Sequence, residues 1–180
     1  MEFYDVINKR RTVRSFSAPA PDEIIKKILV AGTKSLNADN AQPWEFILLS
    51  DPKLVKQISE LKYQCNLAVH PRGVALKQRS VYTNASAIAV CNKQGGGYGW
   101  STWMAIENMA LAATAEGFGI LPSTLWGEPK KAAEKLLGLP GGYELTAVVL
   151  IGKQKGNPPR IARRPDFSWL HRNKFGIKLP

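Results

Sequence analysis

The chain is short of the side chains on which most enzyme chemistry depends. Among its 180 residues there are two histidines, His70 and His171, and two cysteines, Cys65 and Cys91. Neither histidine sits in an HExxH pattern or beside a candidate nucleophile. Two thiols so far apart make no CxxC pair, and they are too few for a structural zinc site, an iron–sulfur cluster or a disulfide framework. Cys91 falls in an apolar run and reads as a small buried residue. There is no GxSxG and no GxGxxG after a strand, and Gly95-Gly96-Gly97-Tyr98-Gly99 lacks a Walker lysine. The acidic residues form no evident catalytic pair. No apolar run reaches the length of a membrane-spanning helix. The first residues, MEFYDVINKRR, place no apolar stretch behind a basic one, so no secretory signal is expected and the expected location is the cytoplasm. If the protein is an enzyme, a cofactor carries the difficult chemistry.

The 44% apolar and 22% charged content suits one soluble domain over residues 1–180 with a sizeable core. The formal net charge of +11 admits nucleic acid, an anionic membrane or small anionic ligands as partners. Lysines and arginines are spread along the chain, and RNA-binding and zinc-finger signatures are absent. Small anionic ligands are therefore the leading reading, with neither nucleic acid nor membrane as a partner.

Hydrophobic spacing predicts a first helix with Phe3, Val6 and Ile7 and, after Pro19 and Pro21, a second opened by Asp22-Glu23 with Ile24, Ile25, Ile28 and Leu29 inward. Residues 45–49 read as a strand. Asp51-Pro52 starts a helix carrying Leu54, Val55, Ile58 and Leu61. Residues 66–82 read as loop and short helix, 85–90 as a buried strand, and 95–97 as a flexible turn. Residues 100–116 form a helix that is apolar or small nearly all round, which predicts burial on every side, at the centre of the fold or in a subunit interface. Pro129 starts another helix, and 145–151 reads as a central strand. The tail carries Phe167, Trp169, Leu170 and Phe175, enough apolar bulk to require packing on something. The expected fold is α+β with a mixed sheet flanked by helices.

Four segments could carry function. Arg10, Arg11 and Arg14 flank Thr12; guanidinium forks and a hydroxyl suit a phosphate, while a basic helix end explains the same residues without a ligand. Asn37, Ala38, Asp39, Asn40 and Gln42 form an amide-rich loop, able to meet a heterocycle edge or simply to build a left-handed turn. Pro122, Ser123 and Thr124 can lie along an aromatic ring with backbone N–H groups to donate, or form an ordinary loop. Arg160, Arg163 and Arg164 could close on the same anion as the first cluster or be a solvated basic loop.

Taken together these segments resemble the FMN-dependent nitroreductase family. The likeness rests on Lys9-Arg10-Arg11-Thr12-Val13-Arg14-Ser15-Phe16 and on Asn40-Ala41-Gln42-Pro43-Trp44-Glu45-Phe46-Ile47. It is supported by position at Ala115-Glu116-Gly117-Phe118-Gly119, Leu137-Gly138-Leu139-Pro140 and Arg163-Arg164-Pro165. The resemblance implies a homodimer joined through its long central helices, with FMN between the subunits. It implies that Arg10, Arg11, Thr12 and Arg14 hold the phosphate and reach the pyrimidine side. Asn37, Ala38 and Asn40 would come from the second subunit, Pro122, Ser123 and Thr124 would line the isoalloxazine, and Arg163 with Arg164 would complete the phosphate site. Gln78 falls where family members contact the pyrimidine. Leu36-Asn37 stands where the family commonly has Pro-Ser. The implied activity is ping-pong hydride transfer from NAD(P)H through FMN to an oxidised organic acceptor, such as a nitroaromatic or quinone. Flavin breakdown, reductive dehalogenation, or a flavin carrier or sensor are the alternatives.

Overall fold

The computed structural model describes residues 1–159 and 161–178. Six helices flank a five-stranded sheet: α1 (Phe3–Lys9), β1 (Phe16–Pro19), α2 (Asp22–Gly32), β2 (Trp44–Leu49), α3 (Pro52–Leu67), α4 (Arg72–Ser80), β3 (Ser86–Lys93), α5 (Tyr98–Ala115), β4 (Gly119–Ser123), α6 (Gly127–Leu136) and β5 (Tyr143–Gln154). Short 3-10 turns at Ala38–Asn40 and Val81–Asn84 precede β2 and β3. Among the described residues no helix is long and apolar enough to cross a membrane.

Strand β5 organises the sheet. Its middle residues pair with β3 on one edge and with β4 on the other, Val148 standing opposite both Ala89 and Ser123. Beyond the end of β3, β1 continues that edge, with Pro19 opposite Gly152. Strand β2 pairs with the far side of β3. Alternate β5 side chains enter opposite cores. Ala147, Val149 and Ile151 join Ile25 and Ile28 of α2 and Ile106, Met109 and Ala113 of α5. Val148 and Leu150 join Ile58 and Cys65 of α3 and Ala133 of α6. Leu145 belongs to this second core despite its odd number, because the register shifts between Val90 and Cys91: Ala147 faces Val90 but Leu145 faces Cys91. The extra residue at Thr146 is a bulge, and it exchanges the two faces.

Every strand pairing is antiparallel, which corrects the expected mixed sheet. The continuous apolar run of β5 resembles a parallel strand because helices cover both of its faces, and that coverage is what such a run reports. Among the described residues the single parallel contact is an isolated bridge, Thr12 to Ile120. Two strands were not anticipated. β1 is four residues long and ends in Pro19, and β4 contains Pro122 in what reads as a loop. Proline is tolerated there because β4 is an edge strand, where a missing N–H breaks no ladder.

Helix α3 starts as its sequence predicts: Asp51 Oδ1 accepts from the Lys53 N–H at 2.8 Å, with Pro52 in the first turn. Helix α6 begins at Gly127, two residues before Pro129. Helix α5 is covered on one face within the single chain. Ala105, Met109 and Ala113 are buried, but Trp100, Trp103 and Met104 are exposed. The tail is exposed too, at Phe167, Trp169, Phe175 and Ile177.

Candidate functional site

The arginine segment and the Pro122–Thr124 segment, 110 residues apart, meet at β4. The Val13 N–H donates to the Ile120 carbonyl at 3.0 Å, next to the Thr12–Ile120 bridge. The approach depends on a missing side chain: a Cβ on Gly119 would lie 2.6 Å from Val13 Cγ2. Val13 is buried, and it anchors a segment whose other residues, Arg10, Arg11, Thr12 and Arg14, keep access to solvent.

Within that segment Arg11 caps the end of α1, donating to the Asn8 and Arg10 carbonyls at 2.6 Å each. The basic helix end is therefore part of the structure. Arg10 stands 3.5 Å from Glu107 of α5, whose side chain is 59% exposed. Such an exposed pairing is worth about 0–1 kcal/mol, so an anionic ligand could displace it at small cost. No other carboxylate forms an ion pair with Arg10, Arg11 or Arg14 among the described residues.

Behind β4 lies a set of buried polar contacts that inspection of the sequence missed. The Tyr82 hydroxyl donates to Ser123 Oγ at 2.9 Å in a buried position. Burial, partly offset by this bond, pushes the Tyr82 pKa up, so the phenol remains a donor. Ser123 Oγ accepts there, and its own hydrogen is left to donate elsewhere. Lys62 donates to the Thr124 carbonyl at 2.8 Å and stands 4.5 Å from the centre of the Trp126 ring. The Trp126 N–H donates to Cys65 Sγ at 3.4 Å. A usable signal existed: Lys62 is four residues after Ile58 and three before Cys65, on the inward stripe of α3.

The amide-rich loop is built by its own side chains. Asn37 Oδ1 accepts from the Gln42 N–H at 2.8 Å, and its Nδ2 donates to the Ser35 carbonyl at 3.2 Å. Asp39, Asn40 and Gln42 have φ of 53°, 52° and 45°, the left-handed region that the alternative turn reading required. Ala38 and Asn40 are exposed, and Asn37 is half-buried. The loop enters β2 at Trp44, opposite Asn92 and, one strand further, Glu144; Ser123 is on the other side of β5, opposite Val148. At about 4.8 Å between strands and about 3.3 Å per residue, Trp44 and Ser123 are roughly 20 Å apart across the sheet. One chain does not bring this loop to its own Ser123.

Gln78, half-buried on α4, lies four residues before Tyr82 and bonds to none of the other candidates. Arg163 and Arg164 are exposed beyond β5, with no hydrogen bond to the first arginine cluster among the described residues; Arg160 lies outside the described residues. A cavity of about 900 Å³ opens elsewhere, between α3, α4 and the end of β2, walled by Val55, Leu76, Arg79 and Tyr82. None of the candidate residues lines it. Among the described residues no group of three or more His, Cys, Asp or Glu could hold a metal ion.

An antiparallel sheet between two helical layers, with a basic segment bridged to strand β4, defines an α+β protein. Residues 7–153 match the Nitroreductase family over most of the chain. The chain belongs to that family and is an oxidoreductase of its flavin-dependent class. It is 32% identical, over 90% of its own length and 97% of the relative's, to a protein of Archaeoglobus fulgidus whose name proposes an NADH dehydrogenase or NAD(P)H nitroreductase. It is 27% identical to an iodotyrosine deiodinase of Thermotoga neapolitana, covering 89% of this chain and 92% of that one. Among solved structures, an iodotyrosine deiodinase bound to FMN and 3-iodo-L-tyrosine superposes with a TM-score of 0.82 at 24% identity, covering 96% of this chain and 99% of that one. A Bacteroides fragilis nitroreductase with bound FMN gives 0.77 at 20% identity, covering 96% and 100%. These two likenesses establish the shared fold.

Proposed function

We propose that the protein is a homodimeric FMN-dependent oxidoreductase that takes hydride from NAD(P)H and reduces an oxidised organic acceptor of the nitroaromatic or quinone type. The observation that carries this reading is the junction at Ile120, which sets the arginine segment alongside the strand leading to Ser123 and Thr124. The donor set fits FMN. Guanidiniums and a hydroxyl suit its phosphate, and the wall at Pro122, Ser123 and Thr124 offers a flat ring and donors. FMN, when bound, supplies two-electron redox chemistry that none of the side chains here can perform.

In this reading Arg10, Arg11, Thr12 and Arg14 hold the phosphate and the pyrimidine side, with Arg163 and Arg164 closing over the anion. Ser123 donates with the hydrogen that its bond to Tyr82 leaves over. The Thr124 N–H, just past the end of β4, is a second donor. Asn37, Ala38 and Asn40 reach the site from a second copy, a role supported by the roughly 20 Å between Trp44, where their loop enters the sheet, and this chain's own Ser123. The exposed Trp100, Trp103 and Met104 on α5, with Phe3 and Tyr4 on α1, support dimerisation through that surface. Gln78 takes the pyrimidine edge. One domain spans residues 1–180. The two unpaired, buried cysteines and the need for NAD(P)H favour the cytoplasm.

Purified protein is expected to show flavin absorption bands that bleach on anaerobic addition of NADPH or NADH. Protein that takes up no FMN would overturn the reading, and bands that persist would shift it to a carrier or sensor. A second reading, reductive dehalogenation of a halophenol, is favoured by the likeness to iodotyrosine deiodinases. Offering the reduced protein 3-iodotyrosine and a nitroaromatic side by side separates the two.

A further inference from the structure

Lys62 is unusual for a lysine. It is 7% exposed and, among the described residues, pairs with no carboxylate. Its contacts are the Thr124 carbonyl and the face of Trp126. Burial lowers its pKa below the ordinary lysine value, an effect opposed by nearby Cys65. A buried ammonium with one hydrogen bond and an aromatic face is expensive to keep, and buried charges can often be replaced by apolar side chains of similar volume. Nothing in the packing of α3 against α6 calls for a charge. The one segment it grips is the Ser123–Thr124 wall.

We propose that Lys62 is a positioning residue for the redox site: it fixes the Thr124 backbone and holds a positive charge directly behind the wall that receives the flavin. The inference rests on the flavin reading given above. A hydride delivered by a nicotinamide brings two electrons and one proton, so one net negative charge enters the pocket. A fixed cation in a site of low dielectric favours the reduced state over the oxidised one. Tyr82 does different work on the same wall. It is neutral and donates to Ser123, so it orients without adding charge.

The test uses the full chain and measures affinity for oxidised FMN and, anaerobically, for dithionite-reduced FMN. Lys62→Gln keeps a donor and removes the charge; Lys62→Met removes both; Lys62→Arg keeps the charge. Each variant's fold is checked by its thermal melt. Lys62→Gln and Lys62→Met are expected to lower the preference for reduced over oxidised FMN about tenfold, a fall of about 30 mV in the midpoint potential of the bound two-electron couple. Lys62→Arg should recover most of that preference. Equal weakening of both redox forms by Lys62→Gln, or no change in either, would overturn the proposal while leaving the flavin reading intact. Wild-type protein that binds neither form would overturn both. If Lys62→Met does not fold, Lys62→Gln carries the comparison alone.

Discussion

Met109 and Trp103 lie on the same helix, both large and apolar, yet Met109 is fully buried and Trp103 is 42% exposed. Met109 meets α2 so closely that a Cβ on Gly32 would stand 2.8 Å from its Cγ. Trp103, with Trp100 and Met104, faces away from the rest of the chain. The composition of α5 is alike on both sides. What differs is the covering surface: α2 covers one face, and nothing among the described residues covers Trp100, Trp103 and Met104 on the other. An all-apolar helix therefore states how much surface must be covered and not which molecule covers it.

The sharpest way to break this comparison is at its buried side. Met109→Ala should cost about 2–5 kcal/mol in urea unfolding, as for other large-to-small core changes. A cost below about 1 kcal/mol would show that the α2–α5 contact is loose. The site that the two copies would share comes next. Arg10→Ala combined with Arg163→Ala should weaken FMN retention at least a hundredfold, about 2.7 kcal/mol, with the melting temperature of the FMN-free protein unchanged. Undiminished flavin in that double variant would move the phosphate away from both arginines. On the open side, replacing Trp100, Trp103 and Met104 by serine should turn a dimer into a monomer by sedimentation. It should change the unfolding free energy of the monomeric chain by no more than about 0.5 kcal/mol. A wild-type monomer would remove the second copy from the comparison altogether.

A further effect is a pH dependence confined to the closed interior. Burial, and then the charges of Glu134 and Glu45, push the Cys91 thiol up from 9.0 to about 12. Between pH 9 and 12 the unfolded chain loses this proton and the folded chain keeps it, so stability falls as pH rises through that window. Cys91→Ala should flatten this decline in a series of melts, while a serine substitution at the exposed Trp103 leaves it in place.

What could be read in the sequence follows from how local each signal is. Asp51-Pro52 announced the start of α3 because the cap is completed two residues away. The left-handed turn at Asp39 and Asn40 was legible because its chemistry is confined to a few residues. The Arg10–Arg14 and Pro122–Thr124 segments were singled out through family likeness, and β4 then showed that they come together. β4 itself was hidden by Pro122, whose tolerance depends on an edge position that sequence does not state. The direction of the sheet was misread because β5 is covered on both faces, which a parallel strand also requires. Lys62 and Tyr82 were missed because a lysine on an apolar stripe or a lone tyrosine gains meaning only from its partner, and Thr124 and Ser123 are 62 and 41 residues away.

Strand β5 is held by three others, and β4, one wall of the proposed site, is hydrogen-bonded to its innermost residues from Val148 to Gly152. Amide hydrogens along that stretch should exchange with solvent only when the whole molecule unfolds. Diversification of this scaffold, by evolution or in the laboratory, would then leave that wall alone.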